Sequence, residues 1–230
     1  MHLYPSHVPT TALQKGFIGM FSAFKALNNP HRADAVAALG EVTGRAALER
    51  MRTKMRSDSV GRELLKDRPL LDNTGLAKLN LLELPAGTFG HAYAQYLDRH
   101  RFDPDERDVV KFVDDEELAW VMTRYRQTHD FGHVLCGLPP SVLGEIALKW
   151  FEAVQTRLPM CGLSALAGPM ALTQAERSYL RTVLVPWALR AGQKASPLLA
   201  VRFEDEFSTP LHELQAQLRI EPAPAIPKIL

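Results

Sequence analysis

Two histidines four residues apart, His129 and His133, followed twelve positions later by Glu145, are the residues of this chain best spaced to do chemistry. At i and i+4 of a helix two side chains stand one above the other on the same face, so both imidazoles can reach one ion. Asp130 follows the first histidine, rotated about 100° around the helix, and Glu145 must arrive from the next element. Together His129, Asp130, His133 and Glu145 offer three or four nitrogen and oxygen ligands and no thiolate. That set suits Zn²⁺ with an open coordination position.

A histidine pair at this spacing arises often by chance, so the residues leading up to it matter. Leu118, Val121, Met122 and Tyr125 form an apolar stripe at helical spacing, and His129, His133 and Cys136 continue it. The histidines therefore take the place of core residues on a buried face. A buried imidazole needs partners, which a metal or neighbouring carboxylates can supply.

The elements that must position these residues read as helices. Asp114 and Glu117 resemble a capping box opening the long histidine-bearing helix, and Gly137-Leu138-Pro139-Pro140 ends it. Ser141 caps the next helix, which carries Glu145, Lys149 and Glu152. So short a turn joins antiparallel neighbours and brings Glu145 toward His133, with Gly144 permitting close approach. The metal site thus falls on a helical hairpin.

Elsewhere, Thr11 and Gln14 form a capping box before a segment ending at Asn28-Asn29-Pro30. Leu13, Phe17, Met20, Phe21, Phe24 and Leu27 share one face of it. Core packing is the default for that face; a membrane-surface helix is the alternative. Helices follow near Asp34–Thr43, across Leu48, Met51 and Met55, and after Ser59, with Asp72-Asn73-Thr74-Gly75 a loop. Thr88 caps a helix bearing Phe89, Tyr93, Tyr96 and Leu97. Thr173 and Glu176 cap another that runs toward Gly192 with a kink at Pro186. Thr209-Pro210 opens the last helix, before an extended tail with Pro222, Pro224 and Pro227. Leu198–Phe203 is the only candidate strand. The reading is all-α: a single-domain helical bundle over 1–230, with 1–12 and 221–230 as extended termini.

Bulk properties exclude several classes. The 230 residues are 46% apolar and 23% charged with a net charge of +1, which gives no general attraction to nucleic acid. Arg45, Arg50, Arg52, Lys54 and Arg56 form a basic cluster relieved only by Glu49, read as a solvated helix face. Cys136 and Cys161 are expected as reduced, buried thiols, which suits the cytosol or an organelle interior. No secretory signal or transit sequence is expected at the start of the chain. The apolar run Leu158–Leu172 is too short and too broken by Pro159, Gly162, Gly168 and Pro169 to span a bilayer; it suits a narrow apolar groove.

Three chemistries start from these residues. A zincin protease needs His-Glu-x-x-His after a strand, whereas here the acid is Asp130. An HD-type phosphohydrolase needs further His and Asp ligands from other helices; His91 and Asp98 could be recruited, though nothing in their setting recommends them. The third is a metal Lewis acid acting on an oxygen-rich ring or carboxylate.

Beyond the motif, the chain carries Tyr4-Pro5-Ser6-His7-Val8-Pro9, Leu39-Gly40-Glu41-Val42-Thr43-Gly44 and Phe112-Val113-Asp114-Asp115-Glu116-Glu117-Leu118-Ala119-Trp120. It continues with Arg124-Tyr125-Arg126, His129-Asp130 to His133, Gly144-Glu145, Lys149–Thr156, Leu158-Pro159-Met160 and Pro186-Trp187-Ala188. Over nearly its full length, to Ile220, it resembles the zinc-motif family of coenzyme Q (ubiquinone) biosynthesis. The family's His-Asp-x-x-His, eleven residues, then Glu is matched without a gap. The resemblance implies a zinc-dependent carboxy-lyase, peripheral on the matrix side of the mitochondrial inner membrane. Its substrate would be a 4-hydroxy-3-methoxy-5-polyprenylbenzoate that loses its C1 carboxylate, alone or coupled to C1 hydroxylation. It also implies an organising role in a multi-subunit complex of ubiquinone-biosynthesis enzymes. Lys149 or Glu152, one or two turns after Glu145, reads either as a group that donates or shuttles a proton or as a surface charge on an exposed helix face. The competing reading is a non-catalytic lipid-binding scaffold with a structural zinc. A homodimer fits a small helical protein of the membrane surface.

Overall fold

The computed structural model describes residues 2–28, 33–77 and 79–227, and among them the regular structure is helical, with no strand. α1 (Ala12–Asn28) opens on the expected capping box. The Gln14 N–H donates to Thr11 Oγ1 at 3.3 Å, and the Thr11 N–H donates to Gln14 Oε1 at 2.8 Å. α2 (Ala33–Thr43), α3 (Arg45–Ser57) and α4 (Ser59–Asp67) follow, with the Asp58 side chain capping α4 at Gly61. The expected loop at Asp72–Gly75 is instead the start of a short helix, α5 (Asn73–Ala77), because the Asp72 carboxylate accepts from the Gly75 N–H at 2.8 Å and nucleates a turn. α6 (Phe89–His100) is capped by Thr88.

α7 (Glu116–Cys136) is the axis of the molecule. One apolar cluster on it gathers α3, α4 and its own first half around Leu48, Met55, Leu64, Leu118 and Met122. The other gathers α6, α7's second half, α8 (Val142–Thr156) and the C-terminal third around Phe89, Phe131, Phe151, Trp187 and Phe203. The apolar stripe of α7 is buried as expected, but so are Arg124, Arg126, Thr128 and Asp130 on its other faces. Polar groups so placed need partners. Arg124 holds Glu204 at 2.5 Å and the Val201 carbonyl at 2.8 Å; Arg126 holds Glu41 at 2.6 Å and the Asp108 carbonyl at 2.9 Å. The segment 198–203, expected as a strand, instead runs from one 3₁₀ turn, Leu198–Ala200, into the start of another, Phe203–Asp205. Arg124 takes a carbonyl there that a neighbouring strand would otherwise claim.

The cap of α7 is Asp115, not Asp114: its carboxylate accepts from the Leu118 N–H at 2.9 Å. Asp114 instead binds Lys15 of α1 and His7. Nor is the basic cluster simply solvated. Arg52 reaches Asp115 at 3.1 Å and Arg56 reaches Glu117 at 2.5 Å, so α3 neutralises the acidic first turn of α7.

α8 packs mainly on α9 (Pro159–Ala167) and α11 (Val185–Lys194). α10 (Gln174–Tyr179) starts at the expected Thr173–Glu176 capping box. The kink expected at Pro186 takes the form of a π-helical turn, Leu180–Leu184, immediately before it: Pro186 lacks the N–H that an unbroken α-helix would need. α12 (Leu211–Gln217) is the last helix. The proline-rich tail is extended but docked. The Ala223 N–H donates to the Cys136 carbonyl at 2.8 Å, and Trp187 Nε1 donates to the Glu221 carbonyl at 2.9 Å.

The apolar face of α1 is not core. Leu13, Phe17, Met20, Phe21 and Phe24 are all more than half exposed. The Leu27 side chain and the Asn29-Pro30 stop lie outside the described residues. Leu163, Leu166 and Met170 of the Leu158–Leu172 run are also exposed. No described helix is long and apolar enough to cross a membrane.

Candidate metal centre

The turn between α7 and α8 builds the site. Gly137 adopts the left-handed conformation (φ 68°) that ends α7, with the Leu138 N–H donating to the His133 carbonyl at 2.9 Å and the Gly137 N–H to that of Val134 at 3.3 Å. That is a Schellman closure. Leu138 also turns its own carbonyl toward His133 Nδ1, at 3.2 Å. Ser141 then caps α8 through the Gly144 N–H, and Gly144 itself must be glycine: a Cβ there would stand 2.0 Å from the Pro139 carbonyl oxygen. The chain can thus fold back tightly enough for Glu145 to face the histidines.

His133 Nε2 lies 3.0 Å from Glu145 Oε1, and His129 Nε2 lies 3.3 Å from Glu145 Oε2. The three ligand-type side chains form a group whose atoms lie within 4.8 Å of one another. Ligands around tetrahedral zinc at about 2.0–2.1 Å stand roughly 3.4 Å apart, so the donor set and its spacing fit such an ion. Both imidazoles present Nε2 to the shared point because Nδ1 is occupied. His133 Nδ1 donates to Leu138, and His129 Nδ1 donates to Glu152 Oε1 at 2.7 Å. Hydrogen-bonding the far ring nitrogen to an oxygen is what fixes the tautomer and the aim of metal-ligating histidines.

Glu152 sits in a network of its own. Its Oε2 accepts from Lys149 Nζ at 2.6 Å and from the Tyr125 hydroxyl at 2.8 Å, and Tyr125 also lies 3.1 Å from Cys161 Sγ. Burial disfavours the Glu152 carboxylate, but Lys149 and His129 outweigh it and hold its pKa well below the usual range. For Lys149 burial opposes the charge, and Glu152 more than restores it, so its pKa is raised. Burial and Lys149 work against a charged His129, yet Glu152 and Glu145 carry it up to about 9. Burial likewise opposes the Glu145 carboxylate and the two histidines prevail, lowering its pKa.

Asp130 is not in the ligand group. Its carboxylate is salt-bridged to Arg107, on the loop between α6 and α7, and it is buried. One position after His129, it faces a different side of α7, as the 100° rotation per residue requires. His91 and Asp98 are also elsewhere: His91 is bonded to Gln95 and neither joins the group. Tyr96, whose ring stacks on His133 at 5.6 Å, and Arg107 were not singled out as site residues from the sequence. Tyr96 reads there as an ordinary apolar-face residue, and Arg107 lies in a loop without periodicity. Tyr125 was legible only as one member of the core stripe.

The fold and the site define an all-α protein with a two-histidine, one-carboxylate cluster of the type that holds a divalent cation. The family model described as "Coenzyme Q (ubiquinone) biosynthesis protein Coq4" matches residues 4–224. The bovine (Bos taurus) mitochondrial homolog of ubiquinone biosynthesis protein COQ4 is 47% identical over 222 residues, covering 96% of this chain and 84% of that protein. The human (Homo sapiens) homolog is 45% identical over the same shares. A crystal structure of a Nostoc punctiforme protein shares the fold, with a TM-score of 0.70 at 22% identity, covering 88% of this chain and 97% of the other. The chain belongs to the Coq4 family, and its role lies in ubiquinone biosynthesis.

Proposed function

We propose that this protein is a zinc-dependent carboxy-lyase that removes the C1 carboxylate of a 4-hydroxy-3-methoxy-5-polyprenylbenzoate. His129, His133 and Glu145 hold the Zn²⁺. The observation that carries this reading is the convergence of three protein ligands, not four. With Asp130 committed to Arg107, a fourth position is left for substrate or water, as in catalytic rather than structural zinc sites. That favours the lyase over a scaffold with a closed structural zinc.

Bound zinc supplies a Lewis acid that steadies negative charge on substrate oxygens. When the C1–carboxylate bond breaks, CO₂ leaves and the electron pair stays at C1. A proton from water then takes the vacated position; in the hydroxylating alternative dioxygen is the oxidant that accepts the pair and supplies the oxygen. The chain's own residues aim and insulate this step. Glu152 fixes the His129 ring, and Lys149 and Tyr125 fix Glu152. Because Lys149 stays an ammonium and Glu152 a carboxylate, their task is to orient and balance charge rather than to shuttle the proton.

The exposed phenylalanines of α1 and the apolar side chains of α9 support contact with a membrane surface, from which a polyprenyl tail can be drawn; the membrane of this reading is the mitochondrial inner membrane, met peripherally from the matrix side. There the protein works among the other enzymes of the pathway in a multi-subunit complex.

The test is to measure bound metal in wild type and in Glu145→Ala, then CO₂ release from the prenylated hydroxybenzoate with each. Zinc-loaded wild type that releases CO₂ and a variant that loses both metal and activity are expected. Zinc-loaded wild type inert in a complete assay sinks the lyase; metal loss with unchanged CO₂ release sinks the ligand assignment.

A further inference from the structure

Beside the histidine and glutamate cluster stand three features that the metal does not explain. The ring of Tyr96 lies on the His133 imidazole at 5.6 Å and 20°, close to parallel. Its hydroxyl is buried and has no hydrogen-bond partner among the described residues, which leaves a donor unused in a protein that otherwise satisfies most of its buried polar groups. Arg107 is the second feature. Its guanidinium gives one Nη2 bond to Asp130, while Nε and Nη1 bond to nothing in the described protein, and the side chain is 29% exposed against 8% for Asp130. The third is an aromatic wall, in which Tyr96 is joined by His100 at 5.0 Å and Phe102 at 5.8 Å; Phe102 is 41% exposed.

A buried acid such as Asp130 needs a cation, and that alone would account for the salt bridge. It does not account for the remaining guanidinium N–H donors or for the orphaned tyrosine hydroxyl. Arginine can bind two oxyanions at once because its planar fork has separate edges. Asp130 takes a single Nη2 bond and holds the guanidinium in place, leaving other N–H groups for a second oxyanion. The Tyr96 hydroxyl, buried and without a partner among the described residues, is a neutral donor for such an oxyanion. An aromatic wall next to a cation and a hydroxyl donor suits a benzenoid ring that carries a carboxylate.

We propose that Arg107 and Tyr96 form the carboxylate anchor of the metal pocket, holding the substrate's C1 carboxylate while its ring lies against Tyr96, His100 and Phe102. Asp130 is the positioning residue that aims Arg107. This rests on the carboxy-lyase reading for the identity of the substrate.

The experiment uses the zinc-loaded full-length chain with 3-geranyl-4-hydroxybenzoate and the corresponding uncharged amide as probes, followed by calorimetric titration. Arg107→Gln is expected to weaken the acid about 10- to 100-fold, in line with loss of a charge-assisted bond, and Tyr96→Phe about 5-fold. The amide should bind both variants as it binds wild type, and zinc stoichiometry should not change. Because Arg107→Gln strands the buried Asp130, the double variant Arg107→Gln/Asp130→Asn is measured beside it. A merely structural ion pair predicts that the double variant recovers binding, and that result overturns the proposal. Failure of wild type to prefer the acid over the amide overturns it too. Tight acid binding in Arg107→Gln together with wild-type CO₂ release sinks the anchor and leaves the lyase standing. Weakened binding in the variants with no CO₂ release by wild type sinks the lyase and leaves the anchor.

Discussion

Each histidine of the candidate metal centre is aimed by an oxygen behind it, and the two oxygens have different origins. His133 relies on a backbone carbonyl, that of Leu138, which no side-chain substitution removes. His129 relies on a side chain, Glu152, at 2.7 Å. Replacing Glu152 by Gln removes the acceptor's charge and should lower zinc affinity about 10- to 100-fold, as loss of such partners does elsewhere. Competition with a chromophoric chelator measures it. Because the same change leaves Lys149 buried without its counter-charge, thermal stability should also fall, and Glu152→Gln/Lys149→Met should restore stability without restoring zinc affinity. Recovery of both would mean that Glu152 serves packing alone. His129, His133 and Glu145 were legible as a group because helical spacing and one short turn are local rules. Asp130 was legible as an acid near the motif, but its partner Arg107 comes from a loop 23 residues earlier, and no local rule connects them.

Among the elements, the α7–α8 turn carries the most consequence for the site. The Gly144→Ala change would drive a methyl into the Pro139 carbonyl oxygen, 2.0 Å away, and the backbone there cannot yield like the tip of a side chain. A loss of about 1–3 kcal/mol is expected, typical of overpacking. Chemical denaturation checks that figure, and reduced zinc occupancy in the folded fraction checks that Glu145 has moved. Unchanged occupancy would show that α8 slides without disturbing the site. The turn and its caps were readable from glycine, proline and serine, whose backbone preferences act within a few residues. The cap of α7 was misread by one position, since Asp114 and Asp115 both precede the helix and only distant partners, Lys15 and His7, draw Asp114 away.

For the whole molecule, the exposed apolar face of α1 and the buried thiols make separate predictions. Phe21→Asp with Phe24→Asp replaces side chains more than half exposed, so the fold should melt at an unchanged temperature. Co-flotation with liposomes rich in anionic phospholipid should nevertheless fall several-fold; undiminished flotation would remove α1 as the membrane contact. Burial raises Cys161 to about 12, where an ordinary thiol ionises near 9. Cys136 is raised further by the same cause. A folded pKa above the unfolded one means that the stabilisation is complete below about pH 9 and is lost as pH climbs toward 12, because the unfolded chain releases its protons first. Denaturation midpoints should therefore drop between pH 9 and 11, and Cys161→Ala/Cys136→Ala should flatten that part of the curve.

The helical class, most helix starts and stops, the family and a four-residue set of ligand types, His129, Asp130, His133 and Glu145, were all readable along the chain, because they follow from local periodicity, capping and residue order. Tertiary structure decided which polar residues inside α7 serve the ion and which serve the fold. It sent Asp130 to Arg107, Arg124 to Glu204 and Arg126 to Glu41, and it left α1's phenylalanines outside the core. The physical reason is common to all four. A buried charge is satisfied by whatever opposite charge the packing brings within reach, and a helix face is buried only if another element arrives to cover it. Neither condition is written in the residues near it along the chain.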